Sequence, residues 1–205
     1  KLKIYSALII LSVLYFLLRW AVLKDVPQRE SYFYFHGKDF ATAFYTMLQT
    51  IPFYFKLAVF PYGMLYHYSG YLPYVSSPAE ITVIFAIVFL LVMGFISFYL
   101  YKKMPIVSYS IMFFFITLLP VLNIVPTMNF MADRFLYIPS VFLSIAAIAV
   151  LLKYYTPERS GLVLTVSALL IITFGFMTVS RNADWKTNDI LFMSGEGKPG
   201  IILYV

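Results

Sequence analysis

The stretch ITVIFAIVFLLVMGFISFYLY, residues 81–101, contains no Asp, Glu, Lys or Arg. A charge at the centre of a bilayer costs at least ~2.5–3.5 kcal/mol on insertion scales, so a run of this length and purity reads as a transmembrane helix. Three more uncharged runs follow it: Met104–Ala132, Phe135–Leu152 and Ser160–Ser180. An earlier run, Ile4–Leu23, has Arg19 near its end, placed to snorkel toward the interface. The expected fold is therefore all-α: a polytopic integral membrane helical bundle. Its spans fall near residues 4–23, 81–101, 106–125, 135–153 and 162–180, with a sixth possible at 42–65.

Composition agrees. The chain is 62% apolar and 12% charged, against roughly 45–50% and 25% in a soluble domain. Its 15 Lys and Arg and 9 Asp and Glu give a net charge of +6, scattered between apolar runs and not gathered into a stripe that follows a phosphate backbone, which argues against nucleic-acid binding. There is no cysteine, so disulfides, thiolate metal sites and cysteine nucleophiles are excluded, and His36 and His67 are the sole imidazoles.

The segment Phe40–Tyr66 resists a single reading, because it is aromatic yet carries Lys56, Pro52 and Pro61. One bent span and two re-entrant or interfacial half-helices both fit. Orientation follows from the short loops. Lys102, Lys103, Lys153 and Arg159 gather on one face, which the positive-inside rule makes cytoplasmic. The loop Pro126–Arg134 and the tail 181–205 then share the extracytoplasmic or lumenal side. That tail has an interfacial Trp185 and a helical apolar face through Ile190, Leu191 and Phe192, and it reads as an amphipathic segment.

Few polar groups stand where they can do chemistry. Asp133 and Arg134, in MADRFLYIPS, precede a helix expected to start near Phe135, where free N–H groups and the positive dipole end favour an anion. Arg134 adds a bidentate fork for phosphate, with Tyr137 nearby. The alternative is structural: Asp133 caps the helix and Arg134 anchors it at the interface. Asn123, polar at depth between Pro120 and Pro126, marks irregular backbone of the kind that lines cavities. His67, in YHYSGYLP, is either a general base or substrate contact beside tyrosines, or an interfacial histidine of an aromatic belt. Arg181 opens the extracytoplasmic tail and is a further possible substrate contact. Asp25, Glu30 and Asp39 match no metal or paired-carboxylate spacing, and no nucleotide-binding glycine loop, Ser–His–Asp arrangement or HExxH occurs, so no metal site is assigned.

NIVPTMNFMADRFLYIPS (residues 123–140) and, two spans on, SRNADWKTNDILFMSG (residues 180–195) together resemble the transmembrane and tetratricopeptide-repeat proteins related to polyprenyl- and dolichyl-phosphate-mannose O-mannosyltransferases. The residues that carry the likeness are Asp133, Arg134, Phe135, Tyr137, Pro139 and Ser140, then Arg181, Asn182, Trp185, Leu191 and Phe192, with HYSGYLP (residues 67–73) as a third element. The resemblance implies the rear half of a C-type glycosyltransferase membrane module, in the bacterial inner membrane or endoplasmic reticulum. Such a module moves sugar from a polyprenyl-phosphate carrier, its donor substrate, to protein hydroxyls, so its partners are a membrane lipid carrier and a protein acceptor. It implies that Arg134, Asp133 and Tyr137 bind the lipid phosphate, that the catalytic base lies upstream of Lys1 in an internal fragment, and that tetratricopeptide repeats follow Val205. A membrane anchor presenting such repeats to partners, without enzymatic activity, is the competing expectation.

Overall fold

The computed structural model describes residues 2–23, 34–65, 68, 72–123, 129–187 and 190–191. The chain divides into two units, Lys1–Tyr32 and Phe33–Val205. The first contains α1 (Leu2–Leu23), a mostly apolar helix with Lys3 near its start and Arg19 near its end.

The second unit holds α2 (Phe40–Val59), α3 (Ile81–Leu100), α4 (Pro105–Leu118), α5 (Tyr137–Tyr154) and α6 (Ser160–Asn182). Short 3₁₀ turns precede α5 (Asp133–Leu136) and α6 (Pro157–Arg159), and two others follow α4 (Leu119–Val121) and α6 (Ala183–Trp185). No strand occurs among the described residues, and the architecture is an all-α membrane helical bundle. α2 packs on α3, α3 on α4, α4 on α5 and α5 back on α2, closing a ring of four. Three stretches are long and apolar enough to cross a membrane: Ile81–Leu100, Asp133–Tyr154 and Pro157–Trp185. Their outward surfaces are apolar, as with Phe85, Phe95 and Phe98 of α3, and such faces find their solvent in lipid.

α2 is one helix that runs through Pro52 and stops before Pro61, so the break expected of two half-helices is absent among the described residues. It starts at Asp39, whose carboxylate accepts from the Thr42 backbone N–H (3.2 Å) and hydroxyl (2.6 Å). That hydroxyl, with the backbone N–H second, holds the Asp39 carboxyl below its usual range. One face of α2 is polar and buried. Thr46 Oγ1 accepts from Val75 N–H (2.9 Å) and donates to Val75 C=O (3.4 Å), and Gln49 Nε2 donates to Pro73 C=O (2.8 Å). The helix thus supplies the partners that the irregular 72–76 backbone would otherwise lack.

α4 is shorter than the span expected over 106–125, because regular helix ends at Leu118. Pro120 explains the stop: it has no N–H to donate, and its ring crowds the carbonyl one turn back. The chain tightens to a 3₁₀ turn and reaches Asn123, which adopts a positive φ of 50°. Asparagine is among the few side chains that tolerate this region.

Between α3 and α4, two buried serines bridge the helices reciprocally. Ser97 Oγ donates to Ser108 C=O (3.0 Å) and Ser108 Oγ donates to Ser97 C=O (2.7 Å). Small polar residues at such a crossing let the backbones approach and hold them there. Ser97→Ala is expected to destabilise the bundle by about 0.6 kcal/mol, the average for interhelical hydrogen bonds in bilayers. Detergent-titrated unfolding of the reconstituted chain reads this directly, and a loss above ~2 kcal/mol would mean that more than this bridge depends on Ser97.

Candidate functional site

The core under the site is aromatic. Phe130 is fully buried, stacked on Tyr34 (4.5 Å between ring centroids) and edge-on to Phe35 (6.3 Å). Met131 and Ala132 continue this buried strip, with the Ala132 N–H donating to Tyr54 Oη (3.4 Å). The chain therefore arrives at Asp133 with its backbone already fixed by packing.

Asp133 opens the 3₁₀ turn that leads into α5, and α5 itself starts at Tyr137, two residues later than the helix start expected near Phe135. Its side chain faces two remote segments. Oδ1 accepts from the hydroxyl of Tyr68, and Oδ2 lies 3.8 Å from Arg181 Nη2 at the end of α6. Tyr68 Oη also accepts from Leu65 N–H (3.0 Å), so this buried phenol is satisfied as donor and acceptor. Burial first, and the adjoining Asp133 carboxylate second, push the Tyr68 hydroxyl well above the usual tyrosine range.

Arg181 Nη1 pairs closely with Asp184 (2.6 Å). Its Nη2 is buried and makes no hydrogen bond among the described residues, so the contact with Asp133 is coulombic attraction at ion-pair range. Arg181 thus lies between two carboxylates. Arg134, by contrast, is exposed, has no carboxylate within ion-pair range among the described residues, and lies 5.3 Å from the centre of the Phe135 ring.

Beside this cluster opens a cleft of about 530 Å³ between the end of α2, α5 and α6. Asp133, Arg134 and Tyr137 line its polar end. Ser140 and Ser144 follow at helical spacing on α5, and Leu57, Leu143, Ala147, Leu170 and Phe174 supply apolar walls. The serine hydroxyls donate to the Tyr137 (3.1 Å) and Ser140 (2.9 Å) carbonyls, which leaves their oxygens as acceptors. A ligand suited to this shape has an anionic head and a hydrocarbon body.

The structure brings together Asp133, Arg134, Tyr137 and Arg181, four of the residues singled out in the sequence. Asn123 lies elsewhere, in the lining of a separate hollow of about 240 Å³ formed with α2, α3 and the end of α4. Its amide donates to the carbonyls of Asn129 (3.1 Å) and Phe130 (3.4 Å), tying the backbone ahead of Asp133. His67 lies outside the described residues, while its neighbour Tyr68 carries the contact to Asp133. Sequence reasoning passed over Tyr68, Asp184 and Ser144. The one signal for Tyr68 was its place inside HYSGYLP.

Comparison with known proteins gives partial matches. The chain is similar to protein O-mannosyl-transferase tmtc2 of Xenopus laevis, with 37% identity over 68 residues, which is 31% of this chain. It is also similar to protein O-mannosyl-transferase TMTC2 of Mus musculus (33%) and Homo sapiens (32%), each over 95 residues or 44% of this chain. The matched stretches cover 8–11% of those relatives' own length. No family model and no solved structure matches.

Proposed function

We propose that this chain forms the carrier-phosphate side of a membrane glycosyltransferase. In this reading a mannose-like sugar passes from a polyprenyl-phosphate carrier to a protein hydroxyl on the extracytoplasmic or lumenal face, within a C-type glycosyltransferase module. The observation that carries it is Arg134, a cation without an ion-pair partner among the described residues, at the polar end of a cleft whose other walls are apolar. That matches a ligand made of a phosphate and an isoprenoid chain. The partial similarity to proteins named O-mannosyl-transferases supports the same chemistry.

In the transfer, the acceptor oxygen forms a bond to the sugar's anomeric carbon as the bond from that carbon to the carrier phosphate oxygen breaks. The acceptor's proton goes to a general base, and the bonding electrons leave with the phosphate. Negative charge therefore grows at the phosphate, and a guanidinium fork there binds the transition state more tightly than the ground state. Asp133 sets where that fork stands, and Tyr137, exposed at the start of α5, borders the same polar end.

The test is transfer by the purified full-length protein of radiolabelled mannose from a mannosyl-phosphoryl isoprenoid to an acceptor peptide, with a nucleotide sugar as the parallel donor. Transfer from the lipid donor alone is the expected result. Transfer from neither donor, by protein shown to be folded, would favour the anchor reading.

A further inference from the structure

We propose that Tyr68 and Arg181 are positioning residues for Arg134, acting through Asp133, so that capture of an isoprenoid phosphate depends on two side chains that do not line the cleft. This rests on the role of Arg134 given above. Asp133 and Arg134 line the cleft, while Tyr68 and Arg181 do not. Asp133 is the cleft-lining residue that both of them contact.

The two carboxylate oxygens have different partners, Oδ1 the Tyr68 hydroxyl through a hydrogen bond and Oδ2 Arg181 at ion-pair range. The hydrogen bond at one oxygen and the ion-pair attraction at the other restrain the Asp133 side chain and, with it, the backbone that carries it. Arg134 is the next residue of the same 3₁₀ turn, so its direction into the cleft is set by that restraint. Each anchor is itself immobilised: Tyr68 is fully buried and held by Leu65 N–H, and Arg181 is held by Asp184. A cation held ready in this way avoids the ordering cost that a free arginine meets on binding. Arg181 is the less suitable direct ligand, because two carboxylates already neutralise it.

The experiment is binding of farnesyl phosphate to the full chain in lipid nanodiscs, measured by calorimetry across a range of ionic strengths. Arg134→Gln is expected to lose at least about tenfold in affinity, since a charge-assisted hydrogen bond is removed, and to flatten the salt dependence. Tyr68→Phe and Arg181→Gln are each expected to lose about three- to tenfold, the ordering cost of one long side chain, with the salt dependence kept. Their combination should lose little more than the weaker-binding single variant, because both act on one carboxylate. Arg181→Lys should recover most of the affinity lost in Arg181→Gln. Tyr68→Phe removes one oxygen from a packed ring, and size exclusion of the loaded nanodiscs confirms the fold of each variant.

Wild-type affinity in both Tyr68→Phe and Arg181→Gln, with Arg134→Gln impaired, overturns the positioning role and leaves the phosphate reading intact. A flattened salt dependence in Arg181→Gln makes Arg181 a direct ligand and also overturns it. Wild-type affinity in Arg134→Gln overturns the phosphate reading itself.

Discussion

Arg134→Ala in the full-length protein is expected to slow sugar transfer from a polyprenyl-phosphate donor by ~10²–10³-fold, the usual effect of deleting one donor aimed at developing negative charge. The charge it meets grows as the bond to the phosphate oxygen breaks, so the fall should appear chiefly in kcat, with a smaller rise in KM. Stability should hardly change. Arg134 is exposed and has no ion-pair partner among the described residues, so its removal orphans no buried group. Arg134→Lys should recover part of the rate, since a point charge neutralises phosphate but lacks the planar fork. Initial rates at saturating donor settle the matter, and an Arg134→Ala rate equal to wild type would remove the residue from the chemistry.

How much of this was legible in the sequence depends on which physical rule a residue obeys. The membrane helices are written as uncharged runs, because the cost of placing a charge in hydrocarbon forbids interruption, and α3, α5 and α6 follow those runs closely. Helix ends were less legible. The uncharged run through 104–132 continues well past Leu118, yet Pro120 stops α4 by a backbone effect to which hydropathy is blind. Phe40–Tyr66 was ambiguous because Lys56, Pro52 and Pro61 interrupt an aromatic run, whereas the structure carries α2 unbroken through Pro52 and turns its threonine and glutamine face to the 72–76 backbone.

The site divides in the same way. Asp133 and Arg134 stood out as charges beside an apolar run, and Arg181 as the first charge beyond one. Their meeting could not be read, since no periodicity links the start of α5 to the end of α6, and the 3.8 Å contact exists through tertiary packing alone. His67 drew attention because imidazole titrates near neutrality, whereas the residue beside it, Tyr68, bonds Asp133. A buried tyrosine in a tyrosine-rich loop has no distinguishing mark in sequence. Asn123 stood out as a polar residue between two prolines, and its amide donates to the carbonyls of Asn129 and Phe130.

Phe130→Ala is expected to destabilise the second unit by about 3–5 kcal/mol, the range for emptying a fully packed aromatic site. The ring has no exposed surface, and its stacking on Tyr34 and edge contact with Phe35 add roughly 0.5–1.5 kcal/mol per pair beyond area alone. The lost contacts cannot be replaced from outside, because the neighbouring Met131 and Ala132 are buried too. The control is Phe98→Ala on α3, whose ring is 81% exposed on an apolar face. That ring exchanges one apolar environment for another whether the bundle is folded or not, so its loss should cost below ~0.5 kcal/mol. Thermal unfolding of both variants in the same detergent compares them directly. Equal losses would mean that Phe130 is not held by packing. Because Phe130 leads through Met131 and Ala132 to Asp133, the same cavity should also loosen the arginine that follows. Farnesyl phosphate affinity should then fall in Phe130→Ala, at temperatures where it is still folded, and stay at the wild-type value in Phe98→Ala.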